Sequence, residues 1–241
     1  MLHRIILLVL GIPFSLIVNA ETIEFSTDEL ARESVLPIFE TIEVVKNRSV
    51  VKKGRFELGG SIGLNLTEAL YNTVNYSVMG SYHFDESHGV NIFGLFMLSG
   101  LSQMGKDLQQ GKGLIPPKKF DASLAPHPES FIFANYEFTA YYGKISLAKD
   151  FNMNLSLYGI AGLGMIGFGS TSKVGANVGL GQKFYLTNSL SLRFDLRFMM
   201  YQGPEPTSYN DLYGIPAPDA SQFEESLFFH TFATVGLSWL I

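Results

Sequence analysis

Two serine–histidine pairs are the residues of this chain that could support catalysis. Ser81 and His83 lie two positions apart, and Ser226 and His230 lie four apart. A serine activated by a histidine and an acid is the arrangement of lipid hydrolases and acyltransferases. No recognisable catalytic motif surrounds either pair, and a histidine in a polar interior is more often part of a hydrogen-bond network. The sequence therefore predicts that the protein is not an enzyme.

Charged residues alternate with apolar residues between positions 190 and 201. Arg193, Asp195 and Arg197 are separated by Phe194 and Leu196. A period of two is the signature of a β-strand with two different faces. In a closed barrel, the charges would point into the lumen, because each charge on a lipid-facing position costs about 2–4 kcal/mol at mid-membrane.

The same argument, applied to the other alternating segments, predicts a network of charges inside the barrel. Its members are Arg55, Glu57, His83, Glu137, Lys173, Lys183, Arg193, Asp195, Arg197 and His230. Eight strands leave an interior that side chains just fill, and buried charges must be paired. We therefore expect a plugged lumen, with a narrow ion or solute pore as the alternative. No spacing indicates a metal or cofactor site.

Eight segments have this alternation, and they predict an all-β fold, an eight-stranded antiparallel transmembrane β-barrel. The segments are 55–65, 74–84, 90–99, 132–147, 153–168, 173–186, 190–201 and 225–241. In 90–99 the alternation is blurred because both faces are apolar. The connections after the second, fourth and sixth segments are short, and both long connections follow odd-numbered segments, as in outer-membrane barrels with short periplasmic turns and longer outer loops. A transmembrane helix at 153–168 is less favoured, because each of its interior glycines costs a helix about 1 kcal/mol.

The N-terminal region differs from the barrel. Residues 1–20 have a charged start, an apolar core and a small-residue cleavage site, which predicts a secretory signal peptide. Residues 21–54 are predicted to be a short helical or irregular periplasmic segment, and 55–241 the barrel domain. A strand at 42–51, with one more from the long loop, would instead make ten strands. The formal net charge of −5 argues against a nucleic-acid partner.

The long connections are the other possible working surface. The stretch 102–130 contains Lys106, Lys112, Lys118 and Lys119, and a second long loop covers 203–224. Loops on rigid scaffolds often carry function. Contact with anionic lipopolysaccharide and the capture of a ligand or surface both remain open.

Residues 44–84 resemble the start of an uncharacterised outer-membrane β-barrel domain family of myxobacteria and related bacteria, with a small barrel like OmpA or OmpX. The resemblance is carried by the motifs Lys46-Asn47-Arg48, Lys53-Gly54-Arg55-Phe56-Glu57-Leu58, Tyr71-Asn72-Thr73 and Tyr82-His83. It implies a location in the bacterial outer membrane and no assigned activity. The expected partners are outer-membrane lipid, lipopolysaccharide and the barrel-assembly machinery, which would bind the C-terminal strand of a monomer. The chain ends in Ile241, where such proteins often end in phenylalanine.

Overall fold

The computed structural model describes residues 48–98, 100–148, 151–169, 171–209 and 212–241, without the side chains of 146–148, 151 and 152. The predicted signal peptide and most of the predicted segment 21–54 lie outside these residues. The predicted helical part of that segment also lies outside the described residues.

Eight β-strands form a closed antiparallel barrel, as the alternation predicts. The strands are β1 (Phe56–Asn65), β2 (Val74–His83), β3 (His88–Met97), β4 (Ser130–Ala148), β5 (Phe151–Gly167), β6 (Ser172–Tyr185), β7 (Leu190–Pro204) and β8 (Glu225–Leu240). Each strand pairs with the next along the chain, and β8 closes the barrel by pairing with β1. Residues 48–51, the described part of the possible extra strand at 42–51, are not in a strand.

The segment 153–168 lies in strand β5, so the helical alternative is wrong. Strand geometry separates its inward residues Tyr158 and Ile160 from its outward Leu163, which a helix would not do. The predicted long connection before β4 contains a short helix, α1 (Gln103–Gln109), which the sequence analysis does not anticipate.

Within the described parts of the chain, no helix has the length and apolar character needed to cross a membrane.

The two ends of the barrel differ in their connections. The long connections 98–129 and 205–224, together with 66–73 and 168–171, lie at one end, which we call the loop end. The short connections 84–87 and 186–189 lie at the other, together with the start of β1 and the end of β8. We call this the terminal end.

The outward face of the barrel is an apolar belt to which every strand contributes. Large exposed side chains in it include Ile62, Val78, Ile92, Ile132, Leu163, Leu180, Phe198 and Leu237. Aromatic residues lie near its edges, with Phe56, Phe84 and Trp239 at the terminal end and Tyr76 and Phe229 at the loop end. The outward positions of β6, β7 and β8 between these edges hold no Asp, Glu, Lys or Arg.

Strand β3 is apolar on both faces because its inward side chains enter an apolar layer of the lumen. Phe93 and Leu95 point inward and are buried, whereas Ile92 points outward. The blurred alternation of 90–99 therefore reflects two apolar environments on opposite sides of one strand.

Three asparagines form a continuous hydrogen-bonded row on the inward faces of β3, β4 and β6. The row is continuous because the position between two of them, on β5, is a glycine. The strand register aligns Asn91, Asn135, Gly162 and Asn177 on neighbouring strands. Asn135 donates to Asn91 at 3.1 Å, and Asn177 donates to Asn135 across Gly162 at 2.9 Å. A Cβ on residue 162 would lie 2.3 Å from Asn135 Oδ1. Glycine at this position is therefore required for the asparagines on either side to meet.

Replacing Gly162 with alanine is expected to destabilise the barrel by about 1–3 kcal/mol, the range for overpacking a tight interior. The added methyl group would also lie 2.2 Å from the carbonyl oxygen of Ala134, which cannot move without disturbing the sheet. Urea unfolding of the refolded protein measures the effect. Gly159→Ala is the matched control, because its Cβ would be 3.9 Å from the nearest atom on the outward face of the same strand. Equal destabilisation by the two substitutions would contradict the packing argument.

Candidate functional site

The lumen near the terminal end contains a buried ionic cluster centred on Lys183. Its ammonium group donates to Glu57 Oε2 at 2.8 Å and to Glu137 Oε1 at 2.9 Å. All three side chains are at most 4% exposed. Two carboxylates on β1 and β4 are thus neutralised in part by one lysine from β6, which ties three separated strands together across the barrel interior.

Glu57, His83 and Glu137 also have a spacing that would suit a metal ion. One ligand atom from each residue lies within 4.8 Å of the other two. His83 Nε2 is 2.8 Å from Glu57 Oε2, so this imidazole and carboxylate already form a hydrogen bond. The Lys183 ammonium, bonded to both carboxylates, supplies positive charge where a metal would supply it. The second oxygens of the two carboxylates, Glu57 Oε1 and Glu137 Oε2, have no hydrogen-bond partner within the described part of the chain.

A second ion pair extends this cluster along β7. Arg193 binds Asp195 in a bidentate manner, with Nε to Oδ2 at 2.7 Å and NH2 to Oδ1 at 3.1 Å. The Tyr158 hydroxyl donates to the same carboxylate. The Tyr158 ring lies 4.7 Å from Lys183 Nζ and 5.0 Å from the Arg193 guanidinium carbon, so it packs against both cations. An aromatic side chain thus contacts two cations of the cluster.

Arg197 marks the boundary of the ionic cluster. Its guanidinium carbon lies 3.7 Å from the centre of the Phe93 ring, and its NH2 group is 3.8 Å from Asp195 Oδ1. The side chain is fully buried. Three guanidinium nitrogens find no hydrogen-bond acceptor within the described part of the chain. The ring face and the nearby carboxylate therefore provide the stabilisation of this charge. We call the ionic cluster together with Tyr158 and Arg197 the charged layer. Its members are Glu57, His83, Glu137, Tyr158, Lys183, Arg193, Asp195 and Arg197.

The loop half of the lumen is filled by apolar and aromatic side chains, which we call the aromatic layer. Its buried members are Met79, Phe93, Leu95, Phe131, Phe133, Ile166, Phe168, Met199, Tyr201 and Phe232. Phe131 contacts Tyr201 and Phe232 edge-on, with ring centres 6.0 and 5.2 Å apart. The sequence analysis predicts the charged residues of the lumen and misses the aromatic layer. Its apolar side chains could equally belong to lipid-facing positions of the barrel wall.

A small cavity lies where the two layers meet. The cavity next to Met79, Phe93 and Arg193 has a volume of about 10 Å³. A single water molecule needs at least about 10–15 Å³ on this measure.

Three residues of the predicted network lie apart from the charged layer. Arg55 is at the terminal rim and donates to the Leu240 carbonyl oxygen at 2.8 Å. Lys173 lies at the loop end, where it pairs with Glu225 and is 33% exposed. His230 lies in the aromatic layer, with one ring nitrogen 2.9 Å from Asn65 Nδ2 and the other 2.9 Å from the Tyr201 hydroxyl. They face inward or along the rim as alternation requires, but at heights on the barrel that keep them away from the other charges.

Neither serine–histidine pair forms a catalytic arrangement. His83 is bonded to Glu57, whereas the Ser81 hydroxyl accepts a hydrogen bond from Asn91 at 2.7 Å. His230 is bonded to Asn65 and Tyr201, and Ser226 lies four residues earlier along β8, about 13 Å at the rise of a strand. Each histidine is thus part of a structural network, and neither is directed toward the serine considered with it.

A short segment before β1 covers the terminal end, and we call residues 48–54 the stopper. Val50 is 1% exposed and packs against Tyr185 and Leu240. Lys52 points into the lumen, and its ammonium group donates to Thr139 Oγ1 at 2.6 Å. The sequence analysis places residue 52 in the periplasmic segment 21–54 and does not identify Lys52 as a lumen residue, because no alternation marks a single lysine in a turn.

Glu86, in the turn between β2 and β3, holds the stopper in place. Its carboxylate accepts hydrogen bonds from the backbone N–H groups of Lys52 and Lys53 at 3.1–3.2 Å. It also pairs with the Arg48 guanidinium at 3.2 Å. One half-buried turn residue therefore anchors the stopper at the terminal end of the barrel.

Burial lowers the pKa of Lys52 from 10.5 to about 8, and repulsion from Lys183 contributes further. Glu137 and Glu57 oppose this shift. Between pH 8 and 10.5, Lys52 keeps its proton in the unfolded chain and has lost it in the folded chain, so this residue contributes an increase in the free energy of unfolding with pH, by up to about 3 kcal/mol. Urea unfolding at pH 7.5, 9 and 10 measures this rise.

Lys52→Met is expected to remove this increment from the pH profile, and Lys53→Met, which changes an exposed neighbour, is expected to retain it. An unchanged profile in Lys52→Met would show that other groups cause the rise.

No family model and no curated protein matches this chain. Among solved structures, the N-terminal β-barrel domain of Pseudomonas aeruginosa OprF matches with a TM-score of 0.45 and 11% sequence identity, over 78% of this chain and 98% of that chain. The resemblance of residues 44–84 to the myxobacterial family therefore stays a prediction.

Proposed function

We propose that this chain is an outer-membrane β-barrel protein with a sealed lumen and a structural or surface-interaction role. The single observation that carries this proposal is the combination of an outward apolar belt with a filled interior. Exposed side chains such as Ile62, Ile92 and Leu163 would be unfavourable in water and are suited to lipid. Inside, the stopper, the charged layer and the aromatic layer follow one another from the terminal end towards the loop end.

In this proposal the terminal end faces the periplasm and the loop end faces the cell exterior. Short turns and both chain ends are periplasmic in bacterial barrels, and the longer loops are external. The assembly machinery would bind strand β8, and the protein would be a monomer. The exposed lysines Lys106, Lys112, Lys118 and Lys119 lie in a connection that would meet the anionic lipopolysaccharide surface. We propose no catalytic role.

Single-channel recording of the refolded mature protein in a planar bilayer tests the sealed lumen. Folding is established first by a heat-sensitive shift in gel mobility. We expect a silent membrane, because the cavity between the layers is about 10 Å³. Discrete, salt-dependent steps whose ion selectivity changes in Arg193→Ala or Arg197→Ala would overturn the proposal in favour of a narrow pore.

A further inference from the structure

The long connections at the loop end form a structured cap with a small core of its own. Leu212 and Phe223 from the connection between β7 and β8 pack with Ala125 from the connection between β3 and β4. The backbone N–H of Asp121 donates to the Leu212 carbonyl oxygen at 2.6 Å, which joins the two connections. The Tyr71 hydroxyl donates to the Ala122 carbonyl oxygen at 2.9 Å and adds the connection between β1 and β2. Three loops are thus bound together in defined positions.

A cleft of about 280 Å³ lies where these three connections meet. Its apolar lining comes from Leu70, Leu108, Leu114 and Phe120, and two consecutive lysines, Lys118 and Lys119, border it. Thr207 and Tyr209 complete the lining from the connection between β7 and β8. No residue that lines the cleft belongs to a strand, so it is separate from the outward apolar belt that would contact membrane lipid.

The lining residues indicate the chemistry of a ligand. The leucines and Phe120 provide a surface for a hydrocarbon chain, and each buried methylene group contributes about 0.8 kcal/mol. Lys119 Nζ is 3.3 Å from the Tyr213 hydroxyl and 5.0 Å from the centre of that ring, which holds the lysine near the cleft. Lys118 is exposed beside it. The whole chain has a net charge of −5, so the positive charge of these two lysines is a local feature of the surface. It would favour an anionic ligand in the cleft.

We propose that this cleft binds a single-chain anionic amphiphile, such as a fatty acid, taken up from the medium. This inference rests on the proposed function, because it requires the loop end to face the cell exterior. The volume of about 280 Å³ is just below the range of small-molecule pockets, about 300–1,000 Å³, which suits one chain better than several. Because only loop residues line the cleft, the amphiphile would enter it from the external medium.

The test uses 11-(dansylamino)undecanoate as a fluorescent single-chain carboxylate. The protein is placed in nanodiscs of zwitterionic phosphatidylcholine, and empty nanodiscs provide the correction for probe in the lipid. We expect saturable binding that dodecanoate displaces and that neither dodecyltrimethylammonium nor acetate displaces. The paired substitution Lys118→Gln with Lys119→Gln should raise the Kd about tenfold, because the charge partner of the carboxylate is lost. Leu114→Gln should weaken binding through the apolar lining.

Lys106→Gln with Lys112→Gln is the matched control, since both residues are exposed lysines of the same connection outside the cleft lining. It should leave the Kd within about twofold. Equal weakening by both pairs, absence of saturable binding, or displacement by lipopolysaccharide and not by dodecanoate would each overturn the inference. The heat-sensitive gel shift and the bilayer recording are measured on the same samples. Lost probe binding with a folded, silent barrel would therefore refute the cleft and leave the proposed function standing.

Discussion

Replacing Lys183 with methionine is expected to lower the free energy of unfolding by about 3–5 kcal/mol, the range observed when one partner of a buried ion pair is removed. The lysine is fully buried and donates to Glu57 at 2.8 Å and to Glu137 at 2.9 Å. Methionine has a similar shape, so the main change is the loss of a positive charge between two carboxylates. Urea unfolding of the refolded barrel in lipid vesicles measures the loss.

Two control variants separate the charge effect from a general effect of the substitution. Lys173→Met breaks the partly exposed pair with Glu225 and should change stability by no more than about 1 kcal/mol. Adding Glu137→Gln to Lys183→Met should recover a large part of the stability, because one unpaired carboxylate is neutralised. If Lys183→Met and Lys173→Met were equally destabilising, the buried network would not hold the lumen together as described.

Truncating Phe131 to alanine is expected to destabilise the barrel by about 3–5 kcal/mol, as for other large-to-small changes in packed interiors. The side chain is fully buried in the aromatic layer and contacts Tyr201, His230 and Phe232 edge-on. These rings are fixed to the barrel wall, so they cannot close the space that the substitution leaves. The same urea unfolding experiment measures this effect.

Phe131→Leu is the control, because it keeps most of the apolar volume and should be clearly less destabilising than alanine. If the lumen is sealed as proposed, bilayer recording of Phe131→Ala should remain silent, since the charged layer and the stopper are unchanged in this variant. A loss below about 1 kcal/mol would indicate that the aromatic layer collapses freely and is not a rigid part of the interior.

Much of the barrel follows from the amino-acid sequence alone. Alternation is a local property, because successive side chains of any strand point to opposite faces. The run from Leu190 onward, with Arg193, Asp195 and Arg197 between apolar residues, therefore predicts both a strand and its inward face. The distribution of short and long connections along the chain predicts the antiparallel order. The eight-stranded closed barrel confirms these predictions.

The height of each inward side chain along the barrel was decided only by the tertiary structure. It depends on the register between strands and on their tilt, which no single strand encodes. The strand register places Lys183 beside Glu57 and Glu137, and it places His230 beside Tyr201. It also lets Asn177 reach Asn135 across Gly162. The position of Lys52 depends on a chain segment that folds back over the lumen, an interaction between residues far apart in sequence.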